Sequence, residues 1–243
     1  MLVNVDIKAL EWFVGTWLAQ DKIAYEEIFQ GKDQHTDNQT KFNLPSRLIA
    51  KIFVFRLIYG GSAYAYANDP DFESVKWSEN KWQEAIDTFY VKYKGWSSWH
   101  TSIYKEVVET GQLRMPTGRV FTFEPKPSRF GPKWPRTEIL NFPVQGTGAD
   151  LVAITRTLAF QRIKKEKLKA LFVSTVHDSI LCDCPTEEAK YVGQILLESI
   201  QATPKRFSEL FNVNFDLPLT GEVEMGYNYK QMEDITKEIQ IAN

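Results

Sequence analysis

A chain of 243 residues is long enough for one large domain or two modest ones with a real apolar core. Hydrophobic residues make up 43% and charged residues 25%, which excludes a disordered or fibrous chain and reads as folded and soluble. The 29 Lys and Arg against 31 Asp and Glu leave a formal charge of -2, excluding a strongly basic protein while allowing a local cationic groove.

Residues 2–7, LVNVDI, suit a strand whose end presents Asp6. ALEWFVGTWLAQ then places apolar residues at helical spacing, although Gly15 weakens that pattern. Residues 30–44 read as polar and turn-rich. Pro45 opens a helix from about Ser46 to Ile58, broken at Tyr59-Gly60-Gly61. Further helices are expected over 77–94, with Ser78 as N-cap, and over 97–110, stopping at Gly111. Residues 111–140 carry five prolines and read as hairpin and loop. Pro143 and Gly146-Thr147-Gly148 precede an expected helix from Ala149 to Leu168, and a hairpin follows over 171–183. Thr186 and Glu188 open another helix to about Gln201. The tail holds strand-like residues near 219–225 and a short segment at 230–240.

This order predicts an α+β fold in which a helical insert forms one lobe while the two chain ends build one sheet. Such a sheet permits Asp6 to meet Asp178, which sits in the break of TVHDSILCDCP, without requiring it. Two carboxylates at strand ends suit Mg²⁺, a hard cation that takes oxygen ligands. Capping or plain solvent exposure is the alternative. Arg47, Lys51, Phe55 and Tyr59 recur every four residues and share one helix stripe. Two cations followed by two aromatics fit a nucleoside triphosphate, phosphates meeting the cations and base or sugar meeting the rings. An amphipathic helix with wet cations and inward rings is the other reading. Cys182 and Cys184 are the only cysteines and share one strand face, a poor arrangement for a disulfide or a zinc site. They point to a reducing compartment. No apolar run reaches transmembrane length, and MLVNVDIKAL lacks a secretory signal pattern, so no membrane partner is expected.

Taken in order, these signatures resemble the catalytic part of A-family DNA polymerases, relatives of bacterial DNA polymerase I that include phage enzymes. VDIKALE at 5–11 resembles the first palm motif, usually Asp-Tyr-Ser-Gln-Ile-Glu, with Ile7, Lys8 and Ala9 replacing Tyr-Ser-Gln. GKDQHT at 31–36 resembles the entry to the fingers, with His35 the matching residue. The stripe from Arg47 to Gly60 is similar to the fingers helix, with Val54 and Arg56 replacing the usual Asn and Gly. GQLRMPTGR at 111–119 is a looser match and NFPVQGTGAD at 141–150 a sharp one. VHDS at 176–179 resembles His-Asp-Glu, with Ser179 in place of the glutamate. LPLTGEVEMGYNY at 217–229 resembles the terminal strand.

The resemblance implies a palm with an antiparallel sheet and a mostly helical fingers subdomain inserted into it. Residues 1–30 and 141–243 would be palm and 31–140 fingers; the thumb and any exonuclease would be absent. It implies Asp6 and Asp178 as ligands of two Mg²⁺ ions, Mn²⁺ being a possible substitute. Arg47 and Lys51 would bind the triphosphate, with Lys51 protonating the departing pyrophosphate. Phe55 would pack on the deoxyribose, Tyr59 close over the templating pair, and Glu11 exclude a ribose 2′-hydroxyl. Arg136, Asn141, Gln145 and His177 would contact primer-template DNA, Gln145 through the minor groove, where all correct pairs present equivalent acceptors.

The implied function is template-directed DNA synthesis from dNTPs in a bacterial or phage-infected cytoplasm, as one part of a split or truncated polymerase. A second polypeptide would carry the thumb and remaining palm, with self-association in its absence. A catalytically weak nucleic-acid-binding subunit is the alternative. A two-metal nuclease ranks last, since it leaves the cation–aromatic stripe without a purpose.

Overall fold

The computed structural model describes residues 1–129 and 131–241. Its elements are β1 (Leu2–Ile7), α1 (Leu10–Ala19), α2 (Lys22–Phe29), α3 (Gln34–Lys41), α4 (Arg47–Leu57) and α5 (Ala63–Ala67). They continue with α6 (Glu79–Lys92), α7 (Lys94–Thr110), β2 (Gln112–Arg114), β3 (Val120–Thr122), α8 (Arg136–Lys165), β4 (Leu171–Val176) and β5 (Ser179–Asp183). The last are α9 (Ala189–Phe211), β6 (Gly221–Gly226), β7 (Glu233–Asp234) and α10 (Thr236–Ile241). The α+β class is as expected: strands from both chain ends form one antiparallel sheet, ordered β4-β5-β1-β6-β7. Residues 1–11 and 146–243 make one compact unit and residues 12–145 another.

In the first unit β1 is central, paired along one edge with β5 and along the other with β6. Val3, Val5 and Ile7 alternate onto one face and are fully buried, together with Ile180 and Val223. Helix α9 covers β1 and β6, and Gly193 permits its close approach: a Cβ there would lie 2.9 Å from Val223 Cγ1. The hydroxyls of Thr155 and Thr203 join α8 to α9 at 2.7 Å. Cys182 and Cys184 are buried free thiols, pushed up to about 12 and about 11 by burial. Strand β4 is one edge of the sheet and exposes Leu171, Val173 and Val176.

The second unit is held by aromatic packing. Phe53, Tyr66 and Trp82 are mutually packed and fully buried, and the Tyr66 hydroxyl donates to the Phe53 carbonyl at 2.9 Å. Asp21, 1% exposed, caps α2 at Ala24 N and accepts from Gly95 N at 2.6 Å, tying α2 to the start of α7. Gly15, which weakens the helical pattern in sequence, has a packing reason. A Cβ there would lie 2.0 Å from Trp96 Cη2. Gly15→Ala is therefore expected to destabilise the protein by about 3 kcal/mol through overpacking, despite alanine's better helix propensity. Equilibrium denaturation checks the sign: propensity alone would make the variant more stable.

Three sequence expectations are corrected. The polar stretch 30–44 contains α3, capped by Asp33 at His35 N and Thr36 N, and α2 precedes it. The helix expected from Ala149 begins at Arg136 and runs through Pro143. A proline removes one backbone donor at a cost of about 3 kcal/mol, offset here by complete burial of Ile139, Leu140 and Val144. Thr186 does not cap α9. Residues 186–188 form a 3₁₀ turn, and α9 continues past Gln201 and through Pro204 to Phe211, closed by Asn212 in the left-handed region. Buried Thr203 and Phe207 account for the extension.

Candidate active site

The first group of site residues lies in the unit built on the sheet. β1 delivers Asp6 at its end, and the turn between β4 and β5 delivers Asp178. This turn has only His177 and Asp178 between its strands, and His177 takes φ +53°, a conformation that a two-residue hairpin connection commonly requires. The Ile7 amide donates to the Asp178 carbonyl at 3.1 Å and pins the turn against the end of β1. Asp6 lies opposite Ser179 in the β1–β5 register.

The carboxyl of Asp178 lies close enough to that of Asp6 to raise it. Burial first, then the charge of Asp178, then Glu222 and Glu224, push the Asp6 carboxyl up to about 6. Carboxylates crowded in this way form an oxygen donor set with negative charge to spare. That set fits Mg²⁺, which keeps several waters and is commonly held by one or two carboxylates together with substrate phosphates. Among the described residues, no group of three or more His, Cys, Asp or Glu side chains has metal-holding geometry. Ser179 Oγ donates back to the Val176 carbonyl at 2.9 Å, so the residue serves the turn itself. His177 is exposed at the turn, and Glu11 lies in the first turn of α1.

The second group lies in the helical unit. Ser46 caps α4 by accepting from Ile49 N, and the helix presents Arg47 and Lys51 exposed and Phe55 half-buried. Tyr59 lies just past the C-cap, Ile58. Lys51 Nζ is 5.8 Å from the Phe55 ring centre, and the buried His35 ring is 6.3 Å from that same ring. Gln145 Nε2 donates to the Tyr59 hydroxyl at 2.8 Å, while Arg136 lies over the Tyr104 ring at 5.0 Å. Asn141 is half-buried on α8.

Sequence reasoning missed several partners of these residues. Asp33 accepts from Arg47 Nε at 2.7 Å, and that guanidinium holds its carboxyl down at about 2. The α3 capping bonds are made by the same side chain, so one residue orders both segments. Arg56, which departs from the family glycine, pairs with Asp69 and Asp71 and lies 5.2 Å over the Phe72 ring. It is accounted for by packing of α4 on the 3₁₀ segment 70–75. Glu222, opposite Asp6 on β6, was readable only as one member of the alternating run GEVEMG.

An antiparallel sheet that brings two carboxylates to adjoining strand ends is a framework on which nucleic-acid polymerases are built. The chain belongs to DNA polymerase family A, which matches residues 1–231. It is 28% identical over 211 residues to DNA polymerase I of Aquifex aeolicus, covering 82% of this chain and 35% of that protein. It is 27% identical over 218 residues to the DNA polymerase of Bacillus phage SP01, covering 89% of this chain and 22% of that protein. The chain thus spans about a third or less of these relatives. Among solved structures, the POL domain of Pol1 from M. smegmatis, in complex with DNA primer-template and dNTP, shares the fold. Its TM-score is 0.77 at 21% identity, over 91% of this chain and 38% of that one. Among the described residues, no helix is long and apolar enough to cross a membrane.

Proposed function

We propose that this chain carries the nucleotidyl-transfer centre of a DNA polymerase, adding deoxynucleoside monophosphates from dNTPs to a primer 3′-hydroxyl under template direction. The observation that carries the reading is the meeting of Asp6, at the end of β1, with Asp178, in the adjoining β4–β5 turn that the Ile7 amide pins there. The sheet-bearing unit is assigned as catalytic palm and the helical unit as fingers. Asp6 and Asp178 would hold two Mg²⁺ ions, with Mn²⁺ as a substitute. When bound, such ions make the attacking hydroxyl more nucleophilic and neutralise charge on the leaving pyrophosphate.

The chain's own side chains supply the rest. Arg47 and Lys51 bind the triphosphate, and Lys51 gives a proton to the leaving pyrophosphate. Phe55 packs on the deoxyribose, while Glu11 excludes a 2′-hydroxyl. Tyr59 closes over the templating pair, and its bond to Gln145 ties that tyrosine to a residue assigned to the minor groove. Arg136, Asn141 and His177 complete the contacts to primer-template. Because the matched stretch is a minor part of its relatives, full activity is assigned to this chain together with further polymerase regions, whether on the same polypeptide or on a partner. The exposed apolar edge at β4 supports such an addition, or self-association without it. The two free, buried thiols fit a bacterial or phage-infected cytoplasm.

Primer extension with Mg²⁺ or Mn²⁺, for the chain alone and with a polypeptide supplying the remaining regions, tests this reading. Extension that responds to dNTP and template sequence is the expected result. A second reading, a DNA-binding subunit without turnover, is favoured by Ser179, whose hydroxyl is engaged within the turn. Retained DNA binding without extension in every combination would decide for that subunit.

A further inference from the structure

Ser179 leaves β5 without the third carboxylate of the motif it resembles. The other neighbour of Asp6 has one. Asp6 faces Ser179 in the β1–β5 register and Glu222 in the β1–β6 register. Directly opposed residues of antiparallel strands project from the same face. Ser179, Asp6 and Glu222 therefore form one cross-strand row with Asp6 in the middle. Glu224 is opposite Asn4, two residues further from the strand end on the same face.

A second departure from the motif meets the same row. Lys8 stands where the motif has serine, and its Nζ lies 2.8 Å from Glu222 Oε1. Both side chains are about half exposed, so this is a loose pair that can be exchanged without a large desolvation penalty. Lys8 thereby competes for the Glu222 carboxylate near the end of β1, where Asp6 stands.

Resting on the reading of Asp6 and Asp178 as a Mg²⁺ site, we propose that Glu222 supplies this site's third carboxylate, replacing the one missing at Ser179 from the opposite side of Asp6. Since no three-carboxylate group with direct ligand geometry occurs among the described residues, Glu222 acts as a positioning residue through water carried by the cation. Lys8 restrains it and screens part of its charge.

Mn²⁺ binding followed by electron paramagnetic resonance tests this without requiring DNA or turnover. Glu222→Gln is expected to raise the Kd for Mn²⁺ about 10-fold, the size of effect that outer-shell partners of metal sites have. Adding Ser179→Glu to that variant is expected to bring Kd back towards the starting value. Lys8→Met, which frees Glu222, is expected to lower Kd about 3-fold, an opposite sign that loss of folding cannot imitate. Unchanged Kd in Glu222→Gln, with binding lost in Asp178→Asn, overturns the role of Glu222 and leaves the metal pair standing. Unchanged Kd in both variants, or no Mn²⁺ binding by the unsubstituted protein, overturns the metal reading itself.

Discussion

Asp178→Asn is expected to reduce nucleotidyl transfer by ~10³-fold or more, corresponding to about 4 kcal/mol of lost transition-state stabilisation. The substitution keeps the size of the side chain and leaves the backbone link between Ile7 N and the Asp178 carbonyl intact, so the turn should survive. It removes one negative charge from the pair and, with it, the neighbour that after burial does most to push Asp6 up to about 6. The Asp6 carboxyl should then move back towards the ordinary carboxylate range. On the proposed reading the loss would reflect a missing metal ligand rather than a misfolded site. Single-turnover extension, thermal melting and primer-template binding separate these effects: the rate should collapse while the other two change little. A rate within 10-fold of the unsubstituted protein would show that Asp178 is not part of the reacting centre.

The second large effect concerns stability against acid. His100, 1% exposed, accepts or donates one hydrogen bond with the Tyr90 hydroxyl at 3.0 Å and packs edge-on to Trp96. Burial first, and then the charge of Arg136, pull it from the ordinary 6.5 down to about 3. The unfolded chain takes up this proton near pH 6.5, whereas the folded chain does not until about pH 3. Below pH 6.5 the unfolded state thus binds more protons, and stability falls as pH falls, with a slope approaching about 1.4 kcal/mol per pH unit until the folded histidine titrates. His35, pulled down to about 4 mainly by burial and by Arg47, acts with the same sign.

His100→Phe should remove the His100 share of this slope. It also leaves the Tyr90 hydroxyl, itself pushed up to about 12 by burial, without its hydrogen-bond partner. The variant should therefore be less stable than the parent at pH 7, by about 1–2 kcal/mol, yet lose less on going to pH 5. Denaturant titrations at both pH values measure the difference. Parallel pH dependences in the two proteins would remove His100 as the cause.

Much of the fold was legible because it follows local rules. The alternation of LVNVDI, the start of α4 near Ser46, the Ser78 cap, the stop at Gly111 and the break at His177-Asp178 each depend on a few adjacent residues, and each appears where expected. The continuous helices through Pro143 and Pro204 were not legible. A proline's local penalty is visible in sequence, whereas the burial of Leu140, Val144 and Phe207 that offsets it is a property of the packed units. Gly15 shows the reverse case, a weak helix former required by an indole 81 residues further along the chain.

The candidate site divides in the same way. Sequence by itself determined its vocabulary: Asp6, Asp178, the α4 stripe from Arg47 to Tyr59, and the substitution at Ser179. These are residue types at fixed spacings, and spacing along a helix or strand fixes a face. Tertiary structure decided which charges meet. Register placed Glu222 beside Asp6, packing gave Arg47 to Asp33, and Arg56 went to Asp69 and Asp71. Electrostatic interaction falls with distance in space, and chain separation says little about that distance until the strands are paired and the helices packed.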